Sequence, residues 1–228
     1  MPRSLAFITA GALLSLAAPA AAQICGGFPA FTSGSYQVSA TAQFNDQAKI
    51  LGGAFALGGR GPFGQVGIAT TSYDDFDGST LAFAGSAGYQ VALDQKGVFH
   101  LCPVVSYVYG SGPDNVDFFG DGSLIIDFSQ NDLSFGVSVG ALPAQVGSTR
   151  VIPSASFSIV STSVKGTDDV SGQSDTQSET FQLLGLGLGI VFNEVVALRP
   201  GVSIPFGLDG GSTTVGATFS VNFGRRAR

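Results

Sequence analysis

From Tyr36 onward the chain alternates. Tyr36, Val38, Ala40, Ala42 and Phe44 are apolar, and Gln37, Ser39, Thr41 and Gln43 between them are polar. Strict alternation means a strand with two unlike faces, because successive side chains point to opposite sides. The pattern returns at Leu81–Val91, Phe99–Tyr109, Leu133–Ala141, Val151–Ile159, Leu184–Phe192, Val196–Phe206 and Val215–Phe223. Two weaker runs, near 48–58 and 63–73, bring the number of expected strands to ten. No segment after the first 22 residues has a sustained 3.6-residue period, so an all-β chain is expected.

The make-up of the two faces limits where such strands can sit. The polar face of a soluble sandwich usually carries Lys, Glu, Asp and Arg. Here it carries Ser, Thr, Gly, Gln and Asn, with Arg199 the clearest charged exception. Charged residues make up 11% of the chain, against about 25% in ordinary globular domains. At 44% hydrophobic the chain is not disordered either. The runs are about 10–13 residues long, near the 9–11 that a tilted strand needs to cross a bilayer and well above the usual 5–6. A bilayer admits strands only as a closed barrel, because an open edge would leave backbone groups unpaired in hydrocarbon. The expected fold is a closed antiparallel transmembrane β-barrel of ten strands, with eight as the alternative count.

The first segment reads as an export signal. Arg3 is followed by the apolar stretch Leu5–Leu16, then by Pro19 and Ala20-Ala21-Ala22. This predicts cleavage after Ala22, and the stretch is too short for a membrane anchor. Ile24 precedes Cys25 where a lipid-attachment motif needs a small residue. The expected organisation is a signal over 1–22, an N-terminal segment over 23–34, a barrel over 35–224 and a basic tail over 225–228.

Loop length and charge sort together. If the chain starts in the periplasm, the outer connections fall near 45–47, 74–78, 111–122, 164–179 and 207–212, and include the two longest. Of the 16 acidic residues, 14 lie in or beside these loops, and only Asp94 and Glu194 fall on the other side. Long outer loops and short periplasmic turns are the asymmetry expected of such barrels.

The signal segment, the alternating strands over 35–224 and the final hairpin over 197–224 resemble the outer-membrane β-barrel superfamily of Gram-negative bacteria, in its small porin-like group. Phe219 and Phe223 on the last strand resemble the C-terminal signal read by the barrel-assembly machinery. Gly224–Arg228 depart from it by continuing past the usual end. The resemblance implies an outer-membrane location, outer-membrane lipid and the assembly machinery as partners, and a monomer. The net charge of −6 argues against a nucleic-acid partner.

Few residues suggest chemistry. Cys25 and Cys102 are the only cysteines of an exported chain, and Cys102 lies on the polar phase. A Cys25–Cys102 disulfide at the periplasmic mouth is expected. His100, also on the polar phase, is the only histidine, so a metal centre built on it lacks ligands. It is expected to line the lumen, as is Arg199. The glycines Gly185, Gly187 and Gly189 alternate within a strand and would leave room across the barrel. Tyr73 and Tyr109 fit an outer aromatic girdle, and Tyr36 and Tyr89 the opposite one. Asp74, Asp75, Asp77, Asp117, Asp121, Asp168 and Asp169 form acidic loops. Read as turn residues they need no ligand; read together they suit divalent cations bridging to lipopolysaccharide. No nucleophile with a base can be assembled, so no enzyme and no cofactor are expected. The functional expectation is a small integral barrel with a structural, surface-binding or narrow-pore role. The alternatives are a narrow channel for a small or apolar solute, and a soluble periplasmic ligand-binding barrel with its faces reversed.

Overall fold

The computed structural model describes Cys25 and residues 35–58, 61–73, 79–112, 116–117, 125–142, 147–168, 172–208 and 210–223. The proposed signal (1–22), residues 23–24 and 26–34, and the basic tail lie outside them. Ten long strands are present: β1 Ser35–Phe44, β2 Ala48–Gly58, β3 Pro62–Tyr73, β4 Ser79–Tyr89, β5 Phe99–Ser111, β6 Ile125–Ala141, β7 Thr149–Asp168, β8 Ser174–Phe192, β9 Val196–Phe206 and β10 Thr214–Phe223. Two two-residue ribbons, Val91–Ala92 and Val116–Asp117, pair beside β5 and β6. Each strand is antiparallel to the next, and β1 pairs with β10 from Tyr36↔Phe223 to Phe44↔Val215. The sheet therefore closes as a ten-stranded barrel without an edge at its waist.

The alternation sorts the faces. Among the described residues, 32 large apolar side chains are exposed, and nearly all point outward from the strands. They include Val38, Phe55, Ile68, Phe83, Phe135, Phe157, Leu188 and Phe219. Tyr36 stacks on Phe223 at 5.3 Å and meets Phe55 at 5.9 Å, forming part of an aromatic rim near the chain's two strand termini. That end is called lower here, and the opposite end upper.

The inward face holds the barrel shut. At the β1–β10 seam, Gln37 Nε2 donates to Asn222 Oδ1 at 2.8 Å, and Thr41 meets Thr218 hydroxyl to hydroxyl at 2.9 Å. Gly216 sits on the same seam. A Cβ there would lie 2.5 Å from the Ala42 carbonyl oxygen and 2.9 Å from Gln43 Cα. Those are backbone atoms, which cannot swing away. Gly216→Ala should therefore cost about 1–3 kcal/mol by overpacking. Gly187→Ala should cost less, because its Cβ would meet only the guanidinium end of Arg199, at 2.7 Å. Urea midpoints of the two variants in detergent check this order.

The lower turns are tight. Asn193 and Glu194 both have positive φ, 52° and 58°, the pattern of a two-residue type I′ hairpin turn. Val195 N–H donates to the Phe192 carbonyl at 3.0 Å to close it. The upper connections are longer, as the sequence predicts, but strand claims part of one of them. The segment 164–179, expected to be loop, is strand to Asp168 and again from Ser174. β6, β7 and β8 run to 17, 20 and 19 residues. Above the apolar belt they are polar on their outward face, so alternation no longer marks them.

Two further expectations are corrected. Tyr73 does not join an outer girdle: counted in phase from the outward Ile68 it faces inward, and it is buried with Ala48, Ile50 and Ala69. Nor is the inward face only polar. Val160, Phe181, Leu183 and Leu208 pack inside the upper half, and Ile152, Val191 and Ala197 inside the lower.

Candidate functional site: the barrel lumen

The lower lumen is organised by one disulfide. Cys25 and Cys102 are joined, with Cα atoms 6.1 Å apart and both residues fully buried. Cys102 projects inward from β5. Cys25 packs with Ala56 of β2, Phe63 of β3 and partly buried Val104 of β5. Its carbonyl accepts a 2.6 Å hydrogen bond from Ser138 Oγ of β6. One residue from before the barrel is thus fixed inside it by contacts to four strands.

His100 lies two residues below Cys102 and is 8% exposed. Gln90 Nε2 lies 2.9 Å from its Nδ1, and its Nε2 lies 2.8 Å from the Gly97 carbonyl. The Gly97 carbonyl can only accept, so Nε2 donates to it, and Nδ1 faces the Gln90 amide. Both ring nitrogens thus have a protein partner within hydrogen-bond distance. Among the described residues no cluster of three His, Cys, Asp or Glu is placed to hold a metal ion.

Arg199 projects inward from β9. Gly187 on β8 provides the space its guanidinium occupies. Gln43, Ser203, Thr214 and Thr218 line the small cavity beside it. A second small cavity is walled by Ser106, Ser134, Ser138, Ser156 and Ser158 of β5, β6 and β7. Ser106 and Ser134, cross-strand partners in its wall, are hydrogen-bonded to each other at 2.5 Å.

Asp132 is one of the 14 acidic residues expected in or beside the outer loops. It is instead an inward side chain of β6, 1% exposed. Thr162 Oγ1 donates to its Oδ1 at 2.5 Å, and Gln130 Nε2 donates to the same atom at 2.7 Å. The phase of β6 held the signal, since Leu133 faces outward and the residue before it must face in. At the lower rim Arg150 forms an ion pair with Glu194 at 3.2 Å.

The acidic loops are mostly out of view. Asp74, Asp75, Asp77, Asp121 and Asp169 lie outside the described residues. Asp117 is described by backbone only, in the ribbon paired with Ile125. Asp168 ends β7, where its N–H donates to the Gln173 carbonyl at 2.8 Å. The structure brings Cys25, Cys102 and His100 together in the lower lumen. Arg199 stands on another wall of the same lumen.

No family model matches this chain, and no curated protein does. Solved structures do. The translocator domain of the autotransporter NalP from Neisseria meningitidis is similar with a TM-score of 0.58 at 10% identity, over 97% of this chain and 98% of that one. The attachment invasion locus protein Ail of Yersinia pestis, solved with the heparin analogue sucrose octasulfate, scores 0.44 at 12% identity, over 83% and 99%. The β domain of the Bordetella autotransporter BrkA scores 0.46 at 13% identity, over 83% and 97%. The likeness is one of fold: this chain has the closed β-barrel architecture found in outer-membrane proteins.

Proposed function

We propose that the chain is a small integral outer-membrane barrel, monomeric and non-enzymatic, with an occluded lumen and its working surface at the upper rim. The observation that carries this reading is the outward apolar belt, which takes in nearly all of the 32 large apolar side chains exposed among the described residues. Water-soluble monomers rarely expose contiguous apolar patches beyond a few hundred Å², whereas lipid accepts such a belt on a closed barrel. A soluble ligand-binding barrel would need the two faces exchanged. Occlusion is supported by the apolar clusters in both halves of the lumen and by Cys25 held inside it. The barrel-assembly machinery would insert such a chain, reading the aromatic alternation of β10.

A second reading is a narrow channel for a small solute. The serine-walled cavity and Arg199 favour it, since both put polar groups on the lumen side.

Two measurements test the proposal. Detergent-extracted protein should migrate differently on a gel before and after boiling, because a closed barrel stays folded until heated. An absence of any shift, with the protein released by an aqueous wash, overturns the membrane reading. In planar bilayers the protein should give no resolved conductance steps. Steps that change when Arg199 is replaced by Ala would establish the channel instead.

A further inference from the structure

Among the described residues Asp132 is the only buried carboxylate. It projects inward from β6, in register with Thr162 of β7, and Gln130 stands above it on the same face of the strand. The three side chains bring three donors between them: the Thr162 hydroxyl and the two N–H groups of the Gln130 amide. All three are used. Thr162 Oγ1 and Gln130 Nε2 donate to Asp132 Oδ1, and Nε2 also donates to Thr162 Oγ1 at 3.2 Å. Two acceptors are left over. Asp132 Oδ2 and Gln130 Oε1 are both buried and without a partner.

Buried acceptors are ordinarily paired, and an orphan calls for a bound water or ion. Charge selects between the two. A buried carboxylate without a counter-charge is costly, and the chain supplies none here. The upper connections 45–47, 74–78, 112–124, 169–173 and 207–213 contain neither Lys nor Arg. Lys49 and Lys165 fall on the outward phase, next to the buried Ile50 and Val164. The Arg199 guanidinium lies against Gly187, which pairs with Ser154, far below Thr162 on β7. Glu179, on the other side of Thr162, already holds an interaction of its own and brings no positive charge.

We propose that Asp132 Oδ2 and Gln130 Oε1 hold a monovalent alkali cation inside the upper lumen. Carboxylate and amide oxygens suit a hard cation, and water completes its shell. One carboxylate neutralises one positive charge, whereas a divalent ion would leave a net charge buried. The site depends on the closed barrel alone and holds whether or not the barrel spans a membrane.

Sodium is the probe, with the full chain in detergent. Choline chloride at equal concentration matches the ionic strength, but its cation is too large for a buried site. With sodium at about ten times its dissociation constant, the urea midpoint should lie about 0.5–1 M higher in sodium chloride than in choline chloride. Folded protein dialysed against radioactive sodium in excess choline should retain the ion, and Asp132→Asn should retain roughly a tenth as much or less. The boiled-against-unboiled gel checks that the variant is folded; if it is not, the wild-type midpoints decide. Equal midpoints in the two salts overturn the proposal. Undiminished retention by folded Asp132→Asn also overturns it, because the ion then sits elsewhere. A protonated-carboxyl infrared band in the wild type that Asp132→Asn lacks does the same, because a proton then takes the place of the cation.

Discussion

Replacing Leu188 by Arg should destabilise the folded barrel by about 2–4 kcal/mol, the cost of an Arg on the lipid face near the bilayer midplane. Leu188 is 42% exposed and central in the outward run Leu184–Phe192 of β8. A guanidinium there has no lumen to turn into, because Gly187 and Gly189 on either side belong to the inward face. With a urea dependence of about 2 kcal/mol per molar, the midpoint for unfolding from lipid vesicles should fall by about 1–2 M. Ser158→Lys is the matched control. Ser158 is an inward residue of β7 beside the serine-walled cavity, so its lysine enters a polar space and should cost well under half as much. A neutral Leu188→Arg paired with a costly Ser158→Lys would reverse the faces and return the chain to the soluble alternative.

The same two faces explain how much could be read from the sequence. β1 and β10 are legible because outward apolar residues such as Val38 and Phe219 alternate with inward seam residues such as Gln37 and Thr218. The difference between the two environments is large, so the pattern is clean. Above the belt that difference vanishes. Ser161, Ser163 and Lys165 of β7 face outward into a polar setting, and Thr162 beside them faces inward, so strand and loop look alike. That is why 164–179 reads as loop in the sequence. The lumen blurred the signal in the other direction. Phe181 and Leu183 point inward beside the outward Leu184, and a run of three apolar residues within four carries no period. Tyr73 and Asp132 were recoverable by extending the phase of neighbouring residues, Ile68 and Leu133, one or a few steps further. The fold is thus written in the outward apolar residues. The contents of the lumen depend on contacts between distant strands, such as Asp132 with Thr162, which no local pattern records.

Breaking the Cys25–Cys102 bond should produce the second large effect, a loss of about 2–4 kcal/mol. The bridge closes a sequence separation of 77 residues, and in the chain-entropy account a loop of that size restrains the unfolded state strongly. Native interactions are lost as well. Once released, Cys25 no longer packs against Ala56 and Phe63, and Ser138 Oγ loses the Cys25 carbonyl as acceptor. Cys25→Ser, Cys102→Ser and the double variant should shift the urea midpoint by similar amounts, because all three remove one bond. Additive losses would mean that the two residues act separately. A thiol reagent applied to denatured protein should label neither cysteine before reduction and both afterwards, and equal labelling in the two samples would show that the bond does not form. Conductance then separates the structural role of the bridge from occlusion. If the anchored Cys25 helps to close the lower lumen, the Cys25→Ser barrel, still heat-shifted on a gel, should show conductance steps that the oxidised protein lacks. A variant that is less stable yet equally silent would assign the disulfide to stability alone and leave closure to the apolar clusters around Phe181 and Ile152.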